Sequence, residues 1–354
     1  MPESIPFNIP MIDLCDETHR HVIIAQGTPE SYKGHPTTLL MPDQKTMFCV
    51  YPLGHGGPSA VLQRSDDAGL TWSDPLPVPE NWKTATNCPA IFRFVGPDGV
   101  ERLFVFEGLG KMRQSVSLDR GETWTPFEEN GLKTAMPFTT IIEITGNRLM
   151  GGWSRKPSTL ISFSEDGGLT WSPERVLVES GGKFPDSRPC EPAFIRSPDG
   201  KEIACVLRVS STMKCRSLAV FSTDEGETWT DPVELDRTMT GNRHQPRYSS
   251  DGRILMAFRD RTLHSPTWGH FVAWVGTYDD IRNCRAGQYR LKLLHSYDTV
   301  KMHDTGYPGV ELLPDDTLVV TTYVKYRPGP EKQSVVSVRL KLEEIDAMAE
   351  GMDS

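Results

Sequence analysis

The octet SEDGGLTW occupies residues 164–171, and three close copies of it occur elsewhere in the chain. The copies read SDDAGLTW from Ser65, SLDRGETW from Ser117 and STDEGETW from Ser222. All four share the pattern Ser-x-Asp-x-Gly-x-Thr-Trp at intervals of about 50 residues, a period that is typical of propellers and repeat arrays. The octets therefore predict a repeat protein, and the segments around them define its repeat unit.

A second repeat surrounds the octets and covers more of the chain. It consists of a proline near the start of an apolar stretch, a polar turn and a second apolar stretch, as in CPAIFRFVGPDGVERLFVFEG from Cys88. Asp-Gly-type turns between two apolar stretches are typical of β-hairpins. Six such hairpins are predicted, and they begin at His35, Cys88, Met136, Cys190, His244 and Gly306.

Each of the first four hairpins is followed by another apolar strand, an octet and a last strand such as WSDPLPV at 72–78. The unit is thus four antiparallel strands, A to D, with the octet as the C–D turn. Unit five has only a degenerate turn at 277–281, and unit six has a strand C at 334–342 but no strand D. We expect RHVIIAQG at 20–27 to supply the missing strand, which would close the ring and remove its open edge.

These units predict an all-β fold, a six-bladed β-propeller of four-stranded antiparallel blades whose ring is closed by an N-terminal strand. The propeller is expected to form a single domain over residues 1–354, with a C-terminal tail or short helix at 343–354. Because strand direction alternates, the starts of the A strands and the ends of the B strands share one face of the ring, here called the top face. The octets fall on the opposite face.

The octet itself predicts a structural turn. Its Asp can accept hydrogen bonds from backbone N–H groups of the turn, its Gly can adopt positive φ, and its Trp can pack between blades. The pattern also resembles part of a calcium loop, but the bidentate Glu of an EF-hand loop and the flanking helices are missing. We therefore expect no metal at the octets, and no cofactor is indicated elsewhere.

Composition excludes several classes of function. The formal net charge of −9 gives no bulk attraction to nucleic acid or to an anionic membrane, and no apolar run is long enough to span a bilayer. The first residues lack a basic segment followed by an apolar core, so we expect a cytoplasmic protein, or a secreted or periplasmic one if a signal peptide has been removed. The sequence does not indicate the oligomeric state.

With four octets on a six-unit β repeat, this chain resembles members of the sialidase (neuraminidase) superfamily over almost its whole length. The resemblance implies a glycosidase whose nucleophile is a Tyr rather than the usual carboxylate. In CEPAFIRSPDGKEIACVLR it implies Glu191 as the base and Arg208 as a binding residue for the sugar carboxylate. In GYPGVELLPDDTLVV it implies Tyr307 as the nucleophile, activated by Glu191.

The sequence departs from the family at three positions. Gly34-His35-Pro36 stands where an Arg-Ile-Pro motif is expected, and the loop that should hold the acid/base Asp has only His55. The position of a further clamp arginine is taken by His270. We therefore expect His55 or His35 to act as acid/base. The remaining substrate-binding candidates are Arg243, His244 and Arg259.

Structural roles remain open for the same residues: a buried Glu191–Arg208 ion pair, Tyr307 as core, His35 and His55 as surface residues, and a solvated cluster at 259–261. Three functions follow. The first is a hydrolase that removes a terminal acidic sugar, such as sialic acid, from a glycan. The second is a polysaccharide lyase or glycosidase acting at a uronic acid, because an Arg and a His are the groups that elimination requires. The third is a sugar-binding propeller without turnover.

Overall fold

The structure is a computed structural model that describes residues 4–210, 215–298 and 303–351. Six β-sheets follow one another along the chain as the six blades of a propeller, which confirms the predicted all-β fold. Within each blade the strands run antiparallel from the innermost outward, except for one short parallel strand added to the fifth blade. The last three residues of the tail predicted at 343–354 lie outside the described residues.

The strands are numbered in chain order, and the blades are numbered from the first hairpin. Blade 1 contains β3 (Thr37–Leu40), β4 (Met47–Pro52) and β5 (Ala60–Ser65). Blade 2 contains β6 (Ala90–Val95), β7 (Glu101–Glu107), β8 (Gly110–Ser117) and β9 (Glu128–Thr134). Blade 3 contains β10 (Met136–Ile144), β11 (Arg148–Arg155), β12 (Ser158–Ser164) and β13 (Arg175–Glu179).

The second half of the ring follows the same order. Blade 4 contains β14 (Pro189–Arg196), β15 (Ile203–Val209), β16 (Leu218–Ser222) and β17 (Val233–Glu234). Blade 5 contains β18 (Gly241–Tyr248), β19 (Ile254–Asp260), β20 (Phe271–Gly276) and β21 (Tyr289–Leu294), with β1 (Met11–Asp13) added in parallel to β21. Blade 6 contains β22 (Gly306–Leu312), β23 (Leu318–Val324), β24 (Ser334–Leu340) and the N-terminal β2 (His21–Ala25).

Helix is confined to short segments. They are α1 (Tyr278–Arg282), α2 (Leu342–Glu350) and three single turns of 3-10 helix at Thr18–Arg20, Glu80–Thr84 and Arg237–Met239. Among the described residues, no helix is long and apolar enough to cross a membrane.

The N-terminal strand closes the ring as predicted. Strand β2 pairs antiparallel with β24, with His21 opposite Val338 and Ile23 opposite Val336. This pairing covers an edge of β24 whose backbone N–H and C=O groups would otherwise be unpaired. The first and last parts of the chain therefore share one blade.

The apolar core lies between neighbouring blades. Phe48 of blade 1 packs with Leu103 of blade 2, and Phe221 of blade 4 packs with Trp274 of blade 5. Where the ring closes, Tyr51 of blade 1 packs in one cluster with residues of blade 6. Each blade thus buries both faces only when it has a neighbour on each side.

The octets form turns at the ends of β5, β8, β12 and β16, on the face opposite the A-strand starts. Asp166 accepts hydrogen bonds from the Ser164 hydroxyl and the Thr170 backbone N–H, both at 2.9 Å, and the other three octets repeat these contacts. Gly168 has a φ of +96°, and a Cβ there would lie 3.1 Å from the Phe104 ring of the preceding blade. The octet is therefore a turn that fits one blade closely against the next.

Three details differ from the sequence-based expectation. Blade 1 lacks strand D, because the three prolines at 75, 77 and 79 remove backbone donors from the segment after the first octet. The turn predicted at 277–281 is instead the helix α1, since Thr277 and Asp280 form a capping box at its start. Strand β1, which no repeat predicts, extends blade 5.

Removing residues 1–27 is expected to lower the free energy of unfolding by about 3 kcal/mol or more, because Ile24 and Ala25 of β2 are buried and β24 would become an edge. Removing residues 1–15 deletes β1 but keeps β2, and should cost clearly less. Urea unfolding followed by circular dichroism compares the two. Equal stability of the longer truncation and the full chain would contradict the closure.

Asp166→Ala is expected to lower the free energy of unfolding by about 1–2 kcal/mol, through loss of the turn hydrogen bonds. Glu165→Ala is the matched control, since this neighbouring side chain is 79% exposed and should change stability by less than about 0.5 kcal/mol. Thermal unfolding measures both. A loss of ligand binding or turnover without a change in stability would show that the octet has a direct functional role.

Candidate active site

Backbone bulges at the starts of the A strands turn side chains toward the propeller axis. The strand register shifts at Cys190–Pro192, Asn242–Gln245 and Gly306–Gly309. Five non-glycine residues at the corresponding positions have positive φ: His35, Cys88, Glu191, Arg243 and Tyr307. Such conformations cost about 1–3 kcal/mol each and occur preferentially at functional sites. A proline directly after four of these residues fits a bulge, because it has no N–H to pair.

Glu191, Arg208 and Tyr307 form the centre of the site. The Tyr307 hydroxyl donates a hydrogen bond to Glu191 Oε1 at 2.6 Å, and Arg208 Nη1 donates to the same oxygen at 2.6 Å. Arg208 Nη1 is also 3.3 Å from the Tyr307 hydroxyl. Tyr307 does not point into the blade core, so the three predicted residues meet on the top face.

Burial and neighbouring charges together set the protonation states of Tyr307 and Glu191. Burial and the neighbouring Glu191 carboxylate raise the pKa of Tyr307 well above its usual value. Burial alone would raise the pKa of Glu191 as well, but Arg208 and the hydrogen bond from Tyr307 outweigh it, and the pKa of Glu191 is lowered. At neutral pH the site therefore holds a neutral phenol beside an ionised carboxylate.

Further arginines give this end of the ring a positive potential. The Arg243 guanidinium lies 5.4 Å from the centre of the Tyr307 ring, and Arg259 Nη1 donates to the His303 carbonyl at 3.3 Å. Burial, with the neighbouring Arg259 and Arg208, lowers the pKa of Arg261 to about 10. Arg208, Arg243, Arg259 and Arg261 thus lie close together around Glu191 and Asp304, which favours an anionic ligand.

The residue between Arg259 and Arg261 anchors them. Asp260 is fully buried, accepts hydrogen bonds from Ser265 and Thr267, and lies 3.3 Å from Arg290. The segment 259–261 is therefore not a solvated salt-bridge cluster, because its carboxylate points into blade 5.

His35 lies beneath the site. Its ring contacts those of Tyr307, His55 and Tyr323 edge-on, at centroid distances of 4.4, 4.5 and 4.7 Å. Burial lowers the pKa of His35 to about 3, so the ring is neutral at neutral pH. Both of its nitrogens are buried without a hydrogen-bond partner, as are Glu191 Oε2 and Arg243 Nε. Such groups are costly to leave unpaired, and several in one place indicate a ligand site.

His55 is oriented by an acid that the sequence analysis did not identify. Asp304 Oδ2 is 3.0 Å from His55 Nδ1 and accepts a hydrogen bond from the Tyr32 hydroxyl at 2.6 Å. Its other oxygen accepts from the Tyr323 hydroxyl at 2.8 Å. These contacts outweigh the effect of burial and lower the pKa of Asp304. His55 itself is 62% exposed and thus accessible to a ligand.

Asp304 was missed because it comes from blade 6, whereas the family pattern places the acid in blade 1. The available signal was its position three residues before Tyr307, in a loop that must cross the top face. Tyr32, Tyr323 and Arg261 match no family motif and were missed as well, although each lies at the end of a predicted strand or in a top-face loop.

Two predicted binding residues lie apart from the trio. His244 is buried in blade 5, and its Nε2 is 2.9 Å from the Met239 carbonyl oxygen, so it faces the core and not the axis. This corrects its predicted placement on the ligand side. His270 contacts the His295 ring at a centroid distance of 4.2 Å, toward the rim of blades 5 and 6. Within residues 4–210, 215–298 and 303–351, no group of His, Cys, Asp or Glu side chains is arranged to hold a metal ion.

Known proteins share this architecture. The model of the BNR repeat-like domain family matches residues 91–267, half of the chain. A structure of a protein of unknown function from Dyadobacter fermentans superposes with a TM-score of 0.66 and 16% identity, covering 90% of this chain and 98% of that one. A search of curated proteins by sequence gives no significant match.

Two of the similar structures are sialidases. One is a sialidase from Streptococcus pneumoniae, with a TM-score of 0.63, 12% identity and coverage of 92% of this chain and 71% of that one. The other is an intramolecular trans-sialidase from Ruminococcus gnavus in complex with oseltamivir carboxylate, with a TM-score of 0.59, 15% identity and coverage of 91% and 97%. At these identities the likeness shows a common fold.

Arg208→Ala is expected to lower the free energy of unfolding by about 3–5 kcal/mol, because it leaves the Glu191 carboxylate buried without its cation. The double variant Arg208→Ala/Glu191→Gln removes that charge and should recover much of the loss. Arg282→Ala is the control: it breaks a more exposed ion pair with Glu202 and should cost less than about 1 kcal/mol. Urea unfolding distinguishes these outcomes, and wild-type stability of Arg208→Ala would mean that Glu191 is not held as a buried anion.

Proposed function

Because this chain belongs to the BNR repeat-like domain family and has the propeller fold of the sialidase superfamily, we propose that it is a glycoside hydrolase that removes a terminal acidic sugar from glycans. The observation that carries the proposal is the 2.6 Å hydrogen bond from the Tyr307 hydroxyl to Glu191 at the centre of an arginine-rich site. A neutral phenol can approach an anionic sugar without the repulsion that a carboxylate nucleophile would meet.

In the first step the Tyr307 oxygen attacks the anomeric carbon while its proton passes to Glu191. The raised pKa of Tyr307 keeps free phenolate scarce, so proton transfer must accompany the attack. The lowered pKa of Glu191 keeps the acceptor in its basic form. Arg208 Nη1, 3.3 Å from the phenol oxygen, stabilises the negative charge that develops there.

The leaving oxygen must take up a proton as the glycosidic bond breaks, and we assign this role to His55. Asp304 binds its Nδ1, so Nε2 on the other side of the ring is the nitrogen that exchanges a proton with the substrate. In the second step water attacks the same carbon and the bond between that carbon and the Tyr307 oxygen breaks. His55 takes a proton from the water, and Glu191 returns its proton to the released Tyr307 oxygen. Atoms and charge then balance over the cycle.

Arginines from blades 4 and 5 hold the sugar carboxylate in this proposal. Arg243 and Arg259 are buried, and the Nε of each has no hydrogen-bond partner. A trans-sialidase of the same fold binds oseltamivir carboxylate, which supports an anionic ligand. The neutral His35 at the start of blade 1 adds no charge, so it suits a hydroxyl of the same sugar.

One observation favours a second candidate. His55 with Asp304 behind it could instead abstract the proton next to a uronic acid carboxylate, with an arginine neutralising that carboxylate. The product would then be an unsaturated uronate that absorbs in the near ultraviolet. A hydrolase releases a saturated acid sugar.

Tyr307→Phe is expected to lower kcat on the methylumbelliferyl glycoside of N-acetylneuraminic or glucuronic acid by at least about a thousandfold, because the ring remains and only the attacking oxygen is lost. Binding of the free acid sugar, measured by calorimetry, should change little. Tyr248→Phe is the control, since that hydroxyl bonds the Arg196 carbonyl at the far end of strand β18.

Intact-mass analysis of the acid-quenched wild type should show a sugar adduct that is lost in Tyr307→Phe. Full activity of Tyr307→Phe would rule out the tyrosine mechanism. An unsaturated product whose formation requires His55 would establish elimination in place of hydrolysis.

A further inference from the structure

A row of partly exposed rings leads away from the arginines of the site. Its members are Trp268, His303, His270, His295 and Tyr297. Successive ring centroids are separated by 5.5, 5.2, 4.2 and 4.6 Å. Neither the proposed mechanism nor the octets use this row.

The row starts at the site. Arg261 stacks over the Trp268 ring at 4.8 Å, and Arg259 donates to the His303 carbonyl next to Asp304. The His270 ring is fixed by a 3.2 Å hydrogen bond between its Nδ1 and the Ser296 N–H. The row is therefore continuous with the groups that face the proposed acidic sugar.

The row ends in a groove of about 450 Å³ at the junction of blades 5 and 6, here called the rim groove. Its lining includes His21, His295, Tyr297, Tyr326 and Arg327. The Tyr326 hydroxyl is 2.7 Å from His21 Nδ1, and Arg327 stacks over the Tyr326 ring at 5.6 Å. A volume of this size lies within the range of about 300–1,000 Å³ that small-molecule sites have.

The chemistry of the groove suits neutral sugars. Its walls carry one exposed acid, Asp16, and one exposed base, Arg327, so they have no excess of charge. Burial lowers the pKa values of His21 and His295, so both rings are neutral at neutral pH. Aromatic faces bind the apolar C–H faces of pyranose rings, while the imidazole and phenol edges bind hydroxyls. Tyr297 is 41% exposed, so its ring is accessible to a ligand.

We propose that the ring row and the rim groove bind the neutral sugars that follow the acidic terminal residue, so that the substrate is an acidic oligosaccharide several residues long. This inference rests on the proposed function for the terminal sugar only. The arginines of the site then bind the charged terminal sugar, and the ring row and rim groove bind the neutral sugars that follow it.

The test compares two substrates with the same acidic terminal sugar: methylumbelliferyl N-acetylneuraminide and sialyl-lacto-N-tetraose. Tyr297→Ala and Tyr326→Ala should lower kcat/KM for the oligosaccharide by about threefold to tenfold each, through KM, and leave the aryl glycoside unchanged. Tyr297→Phe keeps the ring and should behave as the wild type. Leu169→Ala is the control, since this side chain on the octet of blade 3 is 39% exposed and so matches Tyr297. Equal effects on both substrates, or none on either, would overturn the proposal.

If the wild type cleaves neither of these substrates nor methylumbelliferyl glucuronide, the proposed function fails and the groove is tested alone. Proton saturation transfer from the protein to lacto-N-tetraose, xylohexaose and arabinohexaose then reports binding. A signal in the wild type that the double variant Tyr297→Ala/Tyr326→Ala loses supports the groove. No signal with any of the three sugars, or an unchanged signal in the double variant, overturns it.

Discussion

The antiparallel pairing of β2 with β24 is the constraint on which the rest of the molecule depends. Each blade presents apolar side chains to both neighbours, so blades 1 and 6 cannot bury both faces until the ring is complete. Phe48 against Leu103 and Phe221 against Trp274 are examples of contacts that exist only between blades. Closure by the N-terminal strand joins six hairpin-based sheets, none of them stable alone, into one body in which β24 is paired on both sides.

A closed ring also explains why unfavourable backbone conformations persist at its top face. Glu191, Arg243 and Tyr307 sit at bulges with positive φ, and the blades on either side hold them there. The same bulges aim three side chains at one axis, although the residues are far apart in sequence. Fixed positions of this kind let the Glu191 carboxylate and the Tyr307 phenol meet within hydrogen-bond distance of each other and of Arg208 on strand β15 before any ligand arrives. Such preorganisation lowers the cost of reaching a charged transition state.

The fold was predictable because its signals are local and repeated, namely the octets, the hairpin turns and the missing sixth strand D. The site was predictable only in part. Glu191, Arg208 and Tyr307 follow from family patterns at strand ends, whereas Asp304 contacts His55 across the seam between the last blade and the first. Arg243 and His244 show a second limit. A one-residue bulge decides which of the two faces the axis, and strand alternation cannot reveal it. In blade 1, the prolines after the first octet likewise prevent the strand D that the repeat predicts.

The position of β2 has a consequence for how the protein is made. His21 is synthesised before blades 1 to 5, yet its partner Val338 is synthesised after all of them. During translation, which adds roughly 5–20 residues per second, blades 1 to 5 can form one after another while β2 has nothing to pair with. The nascent chain therefore carries β2 as an unpaired strand until β24 has been synthesised. Any factor that shields this strand from other chains would act on the growing polypeptide and have no target on the completed ring.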